Sequence, residues 1–462
     1  MTSAPEPQAT SLYEAQQKIY PREVTGRFDR LRVIAVVVLL GLFYALPWVQ
    51  WNGRQALLFD LPARKFYVFG LTFFPQDFFL LTWLLIIAAL SLFFVTAIAG
   101  RLWCGYACPQ TVWTQIFVWM ERLVEGKRQQ RMKLDRAPWT LAKIARKTAK
   151  QVMWIAFAAF TGCTFVGYFT PIHELTHSIA NASLGGWEIF WIVFYGFATY
   201  GNAGFMREQV CKYMCPYARF QGAMFDRNTL VIAYDTERGE PRGSRARNVD
   251  PRARNLGDCI DCTLCVQACP TGIDIRKGLQ LECIACAACI DACDSVMEQM
   301  STPRGLIRYS TQNAADHQPT RVVRPRTVLY GTALSLLILG FMFAVGSRQL
   351  IELDVLRDRN ALYRTLEDGR IENVYTIRVI NKDGAAHELQ LAVDGLPEGA
   401  ELEADTDALR VAGGAVMSVP VRLRVPANSV SGGIEIELSA RSTAATDRIA
   451  RAKARFLAPV SP

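Results

Sequence analysis

The sequence predicts an α-helical membrane protein that carries a small cysteine-rich insert and ends in an all-β domain. Three observations lead there. Five long stretches are almost free of charge, eight of the thirteen cysteines fall between positions 259 and 293, and about the last quarter of the chain alternates apolar and polar residues with period two.

At 462 residues and 51% hydrophobic content, the chain is longer and more apolar than one soluble domain. The stretches 33–49, 78–99, 152–170, 186–206 and 327–346 approach or reach the roughly 20 residues that a helix needs to cross about 30 Å of hydrocarbon. The first follows a polar segment, 1–32, without a small-residue cleavage site, and ends at Trp48 and Trp51, as an uncleaved anchor with interfacial aromatics does. Residues 33–239 then read as a four-helix membrane domain and 327–346 as a fifth transmembrane helix.

The loop 100–150 carries eleven Lys and Arg, whereas 171–206 carries none. Positive charge stays on the cytoplasmic side, so the N-terminus and 207–326 are expected inside and everything after Gly346 in the periplasm. The net charge of +9 is mostly this bias, which points to lipid headgroups as the partner and away from nucleic acid. All thirteen cysteines lie at or before Cys293, on or near the reducing side, where thiols hold metal or do redox chemistry rather than form structural disulfides.

Two short motifs repeat directly behind apolar runs. "RLWCGYACPQ" places Cys104 and Cys108, and "QVCKYMCPYA" places Cys211 and Cys215, with the shared core C-x-Y-x-C-P. Proline disfavours helix in the residue before it and is welcome at the first helical position, so Cys108 and Cys215 are expected at helix N-caps. The helix dipole there is expected to favour thiolate. After Pro109, the residues Val112, Trp113, Ile116, Phe117, Met120 and Val124 form one apolar face of an amphipathic helix along the inner membrane surface. If the two copies are related halves, the four thiols converge on one site suited to Cu(I) or to reversible disulfide chemistry; otherwise they are small packing residues.

The insert, 259–300, has the spacing Cys259-x-x-Cys262-x-x-Cys265-x-x-x-Cys269-Pro270 followed by Cys283-x-x-Cys286-x-x-Cys289-x-x-x-Cys293. This is the doubled run of bacterial ferredoxins, in which the fourth cysteine of each run serves the other cluster. Cys259, Cys262, Cys265 and Cys293 are then the ligands of one [4Fe-4S] cluster, and Cys283, Cys286, Cys289 and Cys269 those of the second. Zinc sites use separated pairs of thiols and fit the spacing poorly. Asp294 stands where a second Cys-Pro is usual. The flanking stretches 240–258 and 301–326 read as linkers.

"PIHELTHSIA" contains His173-Glu174-x-x-His177, formally the pattern of zinc proteases, but its loop is too short for a cleft and supplies no third ligand. The two imidazoles are candidates for holding incoming Cu(II), set against a plainer role in capping an interfacial helix. His317 and His387 read as ordinary surface residues. In 350–462, "YTIRVIN", "HELQLAV", "SVPVRLRVP" and "IEIELSAR" alternate in the manner of strands, with turns at Lys382-Asp383-Gly384 and Gly413-Gly414. The fold class is therefore membrane α-helical (five transmembrane helices) with an inserted bacterial-type 2[4Fe-4S] ferredoxin domain and a C-terminal all-β immunoglobulin-like domain, read as a periplasmic docking module.

From about Tyr20 onward, the paired C-x-x-x-C-P motifs, the eight-cysteine insert and the terminal β domain resemble the CcoG/FixG/RdxA family. That resemblance implies an inner-membrane oxidoreductase, an accessory protein of cbb(3)-type cytochrome c oxidase that reduces Cu(II) to Cu(I) for the copper centre. It also implies copper ions, oxidase assembly factors and periplasmic copper chaperones as partners, with an electron donor that is unknown from the sequence. The membrane half is similar to the NapH and NosR electron-transfer proteins as well. A quinol-linked electron-transfer component therefore stays open as an alternative, as does an assembly scaffold with structural clusters.

Overall fold

In the computed structural model, which describes residues 18–247, 249–250, 254–358, 361–404, 409–443 and 449–459, four helices are long and apolar enough to cross a membrane. They are Arg27–Trp48, Pro75–Ala99, Leu141–Val166 and Pro325–Gly346, built on α1 (Arg27–Ala45), α2 (Phe78–Ala99), α6 (Leu141–Val166) and α14 (Pro325–Gly346). Val37, Leu85, Leu336 and Phe343 stand exposed on them, which is favourable only where the solvent is lipid. The stretch 186–206 differs from expectation: α8 (Gly186–Thr199) passes into a π-helix at Tyr200–Met206, so its regular part has 14 residues and falls short of a span. Asn202 and two glycines lie in the widened turns, where the Asn202 carbonyl accepts bonds from Gln110 and Arg207 instead of closing a regular helix. Helices α6 and α8 touch closely. A Cβ on Gly162 would stand 2.4 Å from the Ile192 carbonyl oxygen, so only glycine permits this approach.

The chain divides into two units. The first runs up to Tyr44 and adds Ala88–Val166 and Gly185–Leu334. Besides membrane helices it contains α3 (Leu102–Tyr106), α4 (Pro109–Glu125), α5 (Arg128–Arg136), α9 (Pro216–Ala223) and α10 (Thr236–Gly239). Its cysteine-rich part is built on α11 (Leu264–Ala268) and α12 (Ala288–Gln299). Strand Val231–Tyr234 pairs antiparallel with Ile307–Ser310, and closes a core of Ile232, Ile275, Ile290, Met297 and Leu306. The expected linker 301–326 thus supplies a strand and the short α13 (Gln312–Ala315). The apolar pair Leu306-Ile307 that opens onto the strand is hidden between Pro303, Arg304, Gly305 and Arg308 in the sequence.

The second unit comprises Ala45–Ile87, Gly167–Leu184 and the chain from Ser335. A small antiparallel sheet, Leu57–Asp60, Lys65–Val68 and Leu71–Phe73, is tied to the residues before α7 (Ile172–Ala180) by Gln55, whose amide donates to the Gly167 carbonyl at 2.7 Å. The C-terminal domain is a two-sheet sandwich. One sheet runs in the order Glu401–Ala404, Val416–Val425, Ile371–Asn381, Ile351–Arg357, with Arg364–Thr365 beside the third; the other runs Leu409–Val411, His387–Asp394, Gly433–Ser442, Ile449–Leu457. Tyr375, Ile377, Val379, Val421 and Leu423 on the first face Leu389, Ile436, Leu438 and Phe456 on the second, as the alternating pattern predicts. Lys382, buried, joins Asp77 and Glu352, each at 2.8 Å. His387 is not a surface residue: it is buried and bonds to Asp383 at 2.9 Å, while the exposed His317 meets Glu237 at 3.0 Å.

Candidate iron-sulfur and thiol centre

The two cysteine runs fold into matching loops. Asp261 and Thr263 in the first, and Ala285 and Ala287 in the second, all take left-handed backbone conformations with φ between 53° and 60°. Such turns are costly for non-glycine residues and recur where backbone N–H groups must converge on an anionic group. One small cavity is lined by Cys259, Cys262, Cys265 and Cys293, with Val296, Met297 and Leu306 behind them. A second is lined by Cys269, Cys283, Cys286 and Cys289, with Ile232, Ile273 and Ile275 on its walls and Cys265 at its edge. Each cavity offers four thiols in an apolar shell, the donor set that a [4Fe-4S] cluster takes. Asp294 leaves this arrangement intact: α12 runs on through it, and its carboxylate accepts from Gly305 N–H at 2.9 Å.

The repeated membrane-exit motif is brought to the same place. Pro109 and Pro216 begin α4 and α9, with Cys108 and Cys215 as N-caps. Cys104 lies on α3, and Cys211 in a π-helical turn, Val210–Met214. Cys104 and Cys211 pack against Ala268, Ile284, Cys286 and Ala288, so these thiols border the loop that carries the second cysteine set. Gly105 permits this: a Cβ there would stand 2.7 Å from the Ile284 carbonyl oxygen and 2.8 Å from the Cys286 Cα.

Burial pushes the Cys104 thiol up to about 11, with Cys108 and Cys215 near enough to add to the rise, and pushes Cys211 up to about 12, helped by Cys108, Cys104 and Cys215. Cys108 is also raised by burial, although the N–H groups of Thr111 and Gln110 pull the other way. The expected lowering at Cys108 is therefore corrected: desolvation outweighs the helix dipole. The four thiols are near enough to feel one another's charge, yet among the described residues no three His, Cys, Asp or Glu side chains close tightly around a single ion. His173 and His177 lie on α7; His177 meets the Asn181 amide at 3.0 Å and His173 stands edge-on to Trp48 at 5.5 Å between centroids, contacts of helix capping and packing.

Three features were not legible in the sequence. Arg32 of α1 donates from Nη1 to the Cys286 carbonyl at 2.5 Å and pairs with Asp29 at 2.9 Å. Asp291 of α12 accepts from the N–H groups of Phe28 and Asp29 at 3.2 and 2.7 Å, satisfying the open first turn of α1. On α4, Glu121 and Glu125 are buried rather than facing water: Glu121 meets Arg207 at 2.6 Å, and Glu125 meets Lys147 and Lys150 at 2.9 and 3.0 Å. Trp119 and Leu123, both large and apolar, stand exposed on that helix.

Comparison with known proteins fits this geometry. Residues 206–312 match a family described as a 4Fe-4S dicluster domain, 80–128 one described as a 4Fe-4S binding domain, and 341–459 the Ig-like fold at the C-terminus of FixG, a candidate oxidoreductase. The nitrogen fixation protein FixG of Rhizobium meliloti is 39% identical over 423 residues, covering 84% of this chain and 81% of that protein. The chain belongs to the FixG/RdxA/RdxB family. Within the family, protein RdxB of Cereibacter sphaeroides is 41% identical over 407 residues, 85% of each chain. A crystal structure of a FixG-related protein from Vibrio parahaemolyticus is 27% identical and covers 24% of this chain and 97% of its own, with a TM-score of 0.22. This FixG-family chain is an iron-sulfur membrane protein with a C-terminal Ig-like domain.

Proposed function

We propose that this protein is an oxidoreductase of the bacterial inner membrane that reduces Cu(II) to Cu(I) for copper-centre maturation during cbb(3)-type oxidase assembly. The observation that carries the reading is the packing of Cys104 and Cys211 against the Cys286 loop, which sets these two exit thiols beside a candidate cluster cavity, with Cys108 and Cys215 close to both. Cys259, Cys262, Cys265 and Cys293 hold one [4Fe-4S] cluster, and Cys269, Cys283, Cys286 and Cys289 the other. When bound, these clusters supply one-electron carriers. The chain's own part is to receive copper: soft sulfur prefers Cu(I) over Cu(II) and so favours the reduction, and the Cys104, Cys108 and Cys211 thiols, raised by burial, release protons as the metal binds.

The helix α8 with its π-helical continuation acts as the fifth span, which places both exit motifs and the clusters in the cytoplasm and the Ig-like domain in the periplasm. There it docks to oxidase assembly factors and copper chaperones. A reporter fused after Arg357 is then active only in the periplasm, and one fused near Gly243 only in the cytoplasm; the reverse pattern would move every site to the other face.

The direct test uses full-length protein purified without oxygen, reduced with dithionite and desalted, with Cu(I) read by a chelating dye after Cu(II) is added. Replacing all four exit cysteines by Ser should abolish the reaction. A second reading is favoured by one observation: the 4Fe-4S binding match over 80–128 includes, of the thirteen cysteines, only Cys104 and Cys108. In that reading Cys104, Cys108, Cys211 and Cys215 hold a further cluster, and copper is reduced elsewhere.

A further inference from the structure

We infer that a cavity of about 930 Å³ in the first unit, walled by α1, α4, the chain before α1 and the second cysteine loop, binds an isoprenoid quinone or its hydroquinone. Its volume lies in the range of sites that enclose an organic cofactor. One wall is apolar and comes from the membrane: Val33, Val36 and Val37 of α1 face Ile116, Trp119 and Met120 of α4. The opposite side reaches Cys211 and Cys286, one an exit thiol and the other a candidate cluster ligand. A ligand here must be long and apolar at one end and useful to a redox centre at the other.

The polar groups select a neutral ring over a lipid phosphate. Arg32 is paired with Asp29 at 2.9 Å, Arg207 with Glu121 at 2.6 Å, and Arg122 faces Glu23 at 4.0 Å, so each of these arginines already has a carboxylate beside it before any ligand arrives. Arg22 stands exposed at the rim. Two groups remain for the ligand. The Arg122 Nε, 4.0 Å from Glu23 and so beyond hydrogen-bond reach of it, is buried without an acceptor and can donate to a ring oxygen. Glu208 is 8% exposed, bonds to Gln209 at 3.3 Å and has no cationic partner among the described residues, so it can accept the proton of a ring hydroxyl. A phosphodiester would instead place its charge beside the Glu208 carboxylate, which is unfavourable in so apolar a wall.

For the electrons the site rests on the proposed function. One hydroquinone and two Cu(II) give one quinone, two Cu(I) and two protons; Glu208 takes a proton first and solvent carries both away. The quinol pool of the membrane is thereby the class of donor that the sequence leaves unnamed.

The test is photolabelling of full-length protein in nanodiscs with an azidoquinone, the label being mapped by peptide mass spectrometry. Label is expected on 33–37 and 114–123, displaced by excess decylubiquinone but not by phosphatidylglycerol. Val37→Trp, which fills the mouth from an exposed position, should lower labelling at least tenfold with iron content unchanged; Thr114→Trp does the same from the facing wall. Label on other helices, indifference to both variants, or equal displacement by the lipid would overturn the assignment. Copper reduction by dithionite-reduced wild-type protein needs no quinone, so its loss counts against the proposed function and not against the cavity.

Discussion

Gly105 lies so close to Cys286 that a Cβ on the glycine would stand 2.8 Å from the cysteine Cα. The neighbour is backbone, not the end of a flexible side chain, and cannot step aside without moving the cluster loop. Gly105→Ala should therefore cost about 1–3 kcal/mol, the usual range for overpacking. Its effect should reach function: Cys104, the exit thiol on α3, is held against that loop by the same contact, so Cu(II) reduction should fall by tenfold or more. An alanine variant with unchanged melting temperature and rate would show that the contact is not needed.

Asp291 joins the cysteine-rich part to a membrane helix, accepting two N–H groups from the first turn of α1. Asp291→Ala takes the acceptor from both half-buried donors and should lower stability by about 1–2 kcal/mol, as loss of a helix cap does. Asp291→Asn, which keeps an acceptor oxygen, should recover part of the loss. Thermal unfolding of the holoprotein in detergent measures both.

How far the sequence reads depends on how local each feature is. The cluster cysteines are legible because each run holds three of its ligands within seven residues, and the Cys-Pro caps because a proline acts on its own neighbour. The sandwich strands are legible because Val419, Val421, Leu423 and Val425 repeat every second residue and indeed face the core. Arg32 and Asp291 are not, since their partners lie more than 250 residues away. Nor is the strand Ile307–Ser310 legible, because its partner Val231–Tyr234 lies across the whole cysteine run. Glu121 misleads for a related reason: by residue type it belongs on a wet face, and Arg207, Arg131 and Lys18, all distant along the chain or on another element, pair with it inside. For Cys108 the local sequence shows only the helix N-terminus, which favours thiolate, whereas burial reverses the sign.

Arg32 holds a positive charge against the Cys286 carbonyl. A nearby cation favours the reduced, more negative form of a cluster, so Arg32→Gln should make one of the two clusters harder to reduce and leave the other in place. Redox titration followed by electron paramagnetic resonance separates the two potentials. Equal shifts in both, or a shift toward easier reduction, would count against this role.

Asp135 supplies a pH dependence. Burial alone would raise its carboxyl, but hydrogen bonds from Lys147, Lys18 and Tyr20 outweigh burial and hold it well below the usual carboxylate range. A carboxylate with a depressed folded-state pKa adds stability above its unfolded value of about 3.9 and loses it as pH falls toward the folded value. The difference in melting temperature between wild type and Asp135→Asn should therefore be full at pH 7 and shrink steadily below about pH 4. A difference that grows on acidification has the wrong sign and would remove Asp135 from the account.

Iron content decides between the two readings of the exit thiols. Two four-iron clusters in the paired cavities give about eight irons in protein prepared without oxygen, whereas a further cluster on Cys104, Cys108, Cys211 and Cys215 gives about twelve. The quadruple Ser variant sharpens the contrast. If the thiols receive copper, it keeps the iron of the wild type and loses Cu(II) reduction, because the soft ligands that stabilise Cu(I) are gone while the ferredoxin core of Ile232, Ile290 and Met297 is untouched. If they hold a cluster, iron falls by a third together with activity. Cys269→Ser tests the wiring inside the insert: the residue lies in the cavity with Cys283, Cys286 and Cys289, so the cluster lost should be the one beside the exit thiols. Loss of the other cluster alone would mean that the fourth cysteine does not cross over, and the route to copper would have to be redrawn.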